Sequence, residues 1–133
     1  MDYINWDHTF SIGVDEIDSQ HKIWIQTLND LHAALHLRNS GNLISETKKA
    51  VTTMYEYTCF HFKTEEAYME SINYPDLLSH KALHDEFAAE VLETYNAVQE
   101  GKHVLSSEIM KRLTTWLQEH ILQVDSKIGL YVS

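Results

Sequence analysis

The chain has 133 residues, 20 acidic and 10 basic, for a formal net charge of −10. That balance speaks against docking on a nucleic-acid backbone or an anionic membrane face, both of which need clustered Lys and Arg. The length suits one domain, and 44% hydrophobic content with a single cysteine, Cys59, describes a globular chain without an internal disulfide.

The opening, MDYINWDH, has no basic n-region and no apolar h-region, and no apolar run approaches the roughly 20 residues of a membrane span. These features predict a cytoplasmic protein with neither nucleic acid nor membrane as partner. One proline and four glycines favour long helices over a sheet of many turns.

Residues 1–18 read as irregular. Asp18-Ser19 offers an N-cap, and a helix over about 19–38 carries Trp24, Ile25, Leu28, Leu31 and Leu35 at helical spacing before Asn39-Ser40-Gly41 ends it. A second helix spans about 43–71, with Val51, Met54, Tyr55, Thr58, Phe62 and Met69 as its stripe. Asn73-Tyr74-Pro75 breaks it, with Pro75 suited to the first turn of the next helix. A third spans about 76–100, with Leu77, Phe87, Val91, Tyr95 and Val98, and stops at Gly101. A fourth spans about 106–130, with Ile109, Leu113, Trp116, Leu117 and Val124. Four amphipathic helices joined by short loops predict an all-α, antiparallel up-down-up-down four-helix bundle.

Each stripe also passes through residues that do not belong in a core. His21 precedes Trp24, Ile25 and Leu28 by three, four and seven positions. The series 51, 54, 58, 61, 65 reaches His61 and Glu65; the series 77, 80, 84, 87, 91 passes through His80 and His84; the series 109, 113, 116, 120, 124 passes through His120. Burying one of these groups unpaired is costly. A lone buried histidine is ordinarily a satisfied core residue, but five of them with a carboxylate, all towards one end of an antiparallel bundle, need a common partner. A metal ion is the simplest.

Asp125 fits less readily. It follows His120 by five, which at about 100° per residue leaves it roughly 140° off that face. Either the helix loosens there, as in a one-turn π-bulge, or Asp125 approaches from the flank. His8, His32, His36 and His103 read as surface residues, Cys59 as a small packing residue, and the Glu100-x-x-His103 spacing as chance because Gly101 splits it.

IDSQHK at 17–22, HFKTEEAYM at 61–69, Tyr74-Pro75, HKALHDEF at 80–87 and WLQEHILQVD at 116–125 together resemble the hemerythrin family, and more closely its bacteriohemerythrin branch. The resemblance covers nearly the whole chain, and all seven ligand positions of the family pattern are occupied. It implies two iron ions with an oxo or hydroxo bridge: His80, His84 and His120 on one, His21 and His61 on the other, with Glu65 and Asp125 bridging them. It also implies dioxygen as the ligand at the open position of the two-histidine iron, in an apolar pocket walled by Phe62, Trp116, Leu117 and Ile121.

The resemblance thus implies reversible dioxygen binding for transport, storage or delivery to an oxygen-consuming enzyme. Enzymatic turnover is not expected. The alternative reading is a di-iron oxidase or peroxidase, or an oxygen or redox sensor. Nitrogen-rich ligation favours binding dioxygen over consuming it, because the oxygen-activating di-iron bundles use two Glu-x-x-His units and further glutamates, which this sequence lacks.

Overall fold

A computed structural model describes residues 3–35, 43–101 and 106–133. A 3-10 turn, His8–Phe10, precedes helices α1 (Asp15–Leu35), α2 (Leu43–Ser71), α3 (Leu77–Gln99) and α4 (Ser107–Glu119). A π-helical turn, His120–Asp125, then joins α4 to α5 (Ser126–Val132). Among the described residues there is no strand. The early part of α1 packs on the late part of α2, where the indole N–H of Trp24 donates to Thr58 Oγ1 at 3.1 Å. Late α2 in turn meets early α3, with the Phe62 and His84 ring centroids 3.8 Å apart, and early α3 meets late α4, with Phe87 and Trp116 at 4.0 Å. Neighbouring helices therefore run antiparallel, and the expected four-helix bundle is the fold.

The helix ends follow local chemistry. Ser106 caps α4 by accepting from the Ile109 N–H. At the end of α2, Tyr74 N donates to Met69 O and Asn73 N to Glu70 O, with Asn73 in the left-handed region at φ 55°. This is a Schellman closure with asparagine in the position usually held by glycine. Pro75 lies in the turn before α3 rather than inside its first turn, and Gly101 at φ 77° ends α3 as expected. The end of α1 at Arg38, with Asn39-Ser40-Gly41, falls outside the described residues, as do His36 and His103.

The first helix begins earlier than the sequence suggests. It starts at Asp15, and Asp18 already donates its N–H to Val14 O inside the first turn. Asp18 is not the cap because its carboxylate is engaged by the preceding segment: Oδ2 accepts from Ser11 Oγ at 2.6 Å and Oδ1 from Ile12 N at 2.9 Å. The N-terminal segment is thus tied down rather than loose. Further up, the Asn29 amide pairs with both backbone groups of Ile4, at 2.7 and 2.8 Å. At its other end, the carbonyl of Ile12 rests on Gly129 so closely that a Cβ there would come within 1.9 Å of the oxygen.

The core is divided. A large cluster contains Trp24, Leu28, Val51, Met54, Phe62, Phe87, Val91, Leu113, Leu117 and Ile121. A smaller one at the bundle end contains Ile12, Ile17, Met69, Tyr74 and Ile128. In every helix the residues between these two sets are the anomalous ones: His21 between Ile17 and Trp24, Glu65 between Phe62 and Met69, His80 and His84 between Tyr74 and Phe87, and His120 and Asp125 around Ile121 and before Ile128. A polar layer is sandwiched between two apolar ones, each large side chain of which contributes about 1.5–3 kcal/mol by leaving water.

Candidate metal centre

Five imidazoles and two carboxylates converge in that layer. His21, His61, Glu65 and Asp125 are 0% exposed, and His80, His84 and His120 no more than 4%. The α2 pair His61/Glu65 and the α3 pair His80/His84 are each four apart, so each pair shares one helix face. His120 and Asp125 come from the π turn. The Ser126 N–H there reaches back to Ile121 O, five residues earlier, and a backbone bonded in this way has more residues per turn than an α-helix, which swings Asp125 round towards the face of His120. This is the loosened helix, one of the two routes open to Asp125.

The carboxylates divide their oxygens between two groups of imidazoles. Glu65 Oε1 lies 2.9 Å from His80 Nε2, 3.0 Å from His84 Nε2 and 4.0 Å from His120 Nε2. Its other oxygen, Oε2, lies 3.4 Å from Nε2 of both His21 and His61. Asp125 repeats the division: Oδ1 is 2.9 Å from His80 Nε2 and 3.0 Å from His120 Nε2, while Oδ2 is 3.0 Å from His21 Nε2. Two groups that could each hold a metal ion result, Glu65/His80/His84/His120/Asp125 and His21/His61/Glu65/Asp125, with both carboxylates in each.

These contacts are poor as hydrogen bonds. His80 Nε2 and His84 Nε2 both lie 3.2 Å from His120 Nε2, so three imidazole nitrogens crowd together with too few hydrogens and lone pairs correctly opposed. His21 Nε2, His61 Nε2, Glu65 Oε2 and both Asp125 oxygens have close neighbours but no hydrogen bond of acceptable direction. Buried polar atoms are rarely left in this way. Cations between the two nitrogen groups would satisfy all of them, so the donor set fits a pair of metal ions.

The electrostatics agree. Burial pushes the His21 and His80 imidazoles down, but the adjacent Asp125 and Glu65 carboxylates overcome it and raise each to about 9. Burial dominates at His61 and lowers it. Burial alone would raise Glu65, yet contacts with His21, His61, His80 and His84 hold it well below the usual carboxylate range. Burial and the neighbouring Glu65 push Asp125 up, and His120 and His21 more than reverse this. The paired carboxylates demand positive charge, and in the metal-free pocket protons on His21 and His80 provide it.

A family model described as the hemerythrin HHE cation binding domain matches residues 12–129. The chain belongs to the hemerythrin family. It is 31% identical over 124 residues to a bacteriohemerythrin of Clostridium acetobutylicum, covering 90% of this chain and 94% of that one. A bacteriohemerythrin of Stenotrophomonas maltophilia is 35% identical over 124 residues, covering 91% of this chain and 76% of its own. The crystal structure of a wild-type hemerythrin superposes with a TM-score of 0.86 at 29% identity, covering 96% of this chain and 95% of that chain.

Around this hemerythrin centre, Phe62 lies flat on His84, with rings 3° from parallel. Trp116, half-buried, lies flat on His120 at 4.4 Å and on Phe87 at 4.0 Å. Leu117 and Ile121 are fully buried in the large cluster. The ring against the two-histidine group is Trp24, 5.0 Å from His61 and 6.1 Å from His21, which helical spacing alone places only in the core stripe. Two polar neighbours have no such spacing to reveal them. Gln20 Oε1 is 2.9 Å from His61 Nδ1, and Glu66 Oε2 is 2.8 Å from His84 Nδ1. Their only signal in the sequence is adjacency to His21 and Glu65. Of the histidines expected at the surface, His8 is exposed and His32 is half-buried, stacked on Tyr3 at 3.9 Å. A groove of about 330 Å³ between α1 and α2, lined by Thr27, Ala34, Glu46 and Thr53 among others, lies towards the opposite end of these helices.

Proposed function

We propose that the chain is one hemerythrin-like domain that binds dioxygen reversibly at a non-haem di-iron centre. His80, His84 and His120 would hold one iron and His21 and His61 the other, with Glu65 and Asp125 shared between them. When bound, the iron pair supplies the reversible two-electron chemistry that captures and releases dioxygen. The observation that carries this reading is the division of each carboxylate, one oxygen towards each imidazole group.

The protein's own part is to hold seven donors in place and keep water out. Gln20 and Glu66 accept from the Nδ1–H of His61 and His84, which leaves each Nε2 lone pair facing the centre. Trp24, Phe62, Trp116, Leu117 and Ile121 form the apolar surroundings, with Phe62, Trp116, Leu117 and Ile121 as pocket walls. A dry pocket favours recovering dioxygen intact, because it withholds the protons and water that would carry reduced oxygen away. The working assignment is a cytoplasmic carrier or store serving an oxygen-using enzyme, without turnover of its own. Among the described residues, no helix is long and apolar enough to cross a membrane.

The test is oxygen uptake by the fully ferrous protein, followed by purging with inert gas. The expected result is uptake of one dioxygen per two irons, released on purging with ferrous iron recovered. Continuous consumption of dioxygen with an electron donor would replace the carrier with an oxidase. One-way oxidation of the iron without recovery would favour a redox sensor.

A further inference from the structure

His84 is gripped between two consecutive glutamates of α2. Glu65 Oε1 stands 3.0 Å from its Nε2, and Glu66 Oε2 stands 2.8 Å from its Nδ1. The imidazole is 1% exposed and the Glu66 side chain 22%, so Glu66 reaches in from the flank of α2 while Glu65 points to the interior. With Nε2 given to a metal, Nδ1 would carry the proton and donate it to the Glu66 carboxylate. Phe62, stacked flat on the same ring, fixes the plane in which that bond is made.

The other ligand set has a counterpart of different charge. His61 Nδ1 donates to the side-chain amide oxygen of Gln20 at 2.9 Å. Each imidazole group therefore has one member oriented from behind, on one side by an anion and on the other by a neutral amide. A carboxylate acceptor draws the Nδ1 proton towards itself and makes the ring a stronger donor at Nε2.

We propose that Glu66 is a positioning residue that makes the two metals electronically unequal. Acting only through His84, it stabilises the ferric state on the three-histidine side, while Gln20 leaves the two-histidine side the weaker-donor end. This rests on the di-iron reading. The three-histidine iron becomes the readier electron donor, and the Glu66 charge sets how easily the centre as a whole is oxidised.

The experiment compares the iron-loaded wild type with Glu66→Gln, which keeps an acceptor oxygen but removes the charge, Glu66→Leu, which removes both, and Gln20→Glu, which adds a charge on the other side. Iron content is counted first, then the midpoint potential is read by spectroelectrochemical titration. Glu66→Gln should keep two irons and raise the potential by the equivalent of about a tenfold change in the ferric-to-ferrous ratio, about 59 mV for one electron. Gln20→Glu should lower it. A Glu66→Gln potential equal to wild type with two irons retained overturns the proposal, as does a shift confined to Glu66→Leu.

If Glu66→Gln loses iron, the zinc-loaded proteins decide by proton NMR. A His84 Nδ1–H resonance strongly downfield in the wild type and shifted upfield in the variant supports the charged pair; an unchanged position overturns it. A wild type that holds two irons but binds no dioxygen defeats the carrier reading alone, since the potential difference would still report on Glu66.

Discussion

His120 and Asp125 are five residues apart, yet Asp125 Oδ1 lies 3.0 Å from His120 Nε2 because the backbone between them is wound as a π turn. In a regular α-helix the two would diverge by roughly 140°. The turn is the device that lets one stretch of chain bring both an imidazole and a carboxylate to the same cluster. Asp125→Asn, which keeps the shape and removes the anion, should lower iron affinity at least tenfold, by analogy with the 10–100-fold cost of disturbing even outer partners of a metal site. Competition against a chromophoric chelator measures this, and wild-type affinity would mean Asp125 does not bridge.

The two ligand sets are unequal in number, three imidazoles against two. Removing one from the smaller set leaves the larger intact. His61→Ala should therefore purify with about one iron per chain and take up no dioxygen reversibly. Elemental analysis settles the stoichiometry; two irons in the variant would contradict the assignment of His61.

Loading the centre should release protons. In the metal-free pocket His21 and His80 stay protonated up to about 9, held by Glu65 and Asp125 after burial has been overcome, and a metal must displace those protons. Titration of ferrous iron into weakly buffered apoprotein with a pH indicator should show proton release at pH 7 that falls away as the pH approaches 9. The same shifts set the stability of the apoprotein. The His21 and His80 contribution is fully present below the ordinary 6.5 and is lost as pH rises through 9. Glu65 and Asp125 are lowered, so their contribution is present above the usual carboxylate range and is lost as pH falls. Urea melts of apoprotein across this range should weaken at both ends; a flat alkaline limb would contradict the proton-bridged pocket.

Gly129 tests the N-terminal strap. Alanine is the better helix former by about 1 kcal/mol, but its Cβ would stand 1.9 Å from the backbone oxygen of Ile12, which cannot rotate away. The clash should win, with a net loss of about 1–3 kcal/mol as for an overpacked core. Denaturant unfolding of Gly129→Ala checks the sign. A stabilised variant would show that the segment around Ile12 can lift off without cost.

The bundle was legible in the sequence because helix periodicity is local. Trp24, Leu28, Val51, Met54, Phe87, Val91 and Leu113 recur at the spacing of one face, and that face must be buried. The anomaly of His21, His61, Glu65, His80, His84 and His120 was legible for the same reason, since a polar residue in register with a buried stripe declares its own depth. Asp125 marked the limit: a five-residue step can be counted in sequence, but whether the helix loosens depends on what the rest of the bundle asks of it. Only the tertiary structure decided that the backbone bends to the site. It also decided that Asp18 serves Ser11 and Ile12 instead of capping α1, that Gln20 and Glu66 stand behind His61 and His84, and which carboxylate oxygen faces which imidazole. Most of these pairings cross between different helices. A side chain on a helix flank has no periodic signature, and its partner exists only once the helices have packed.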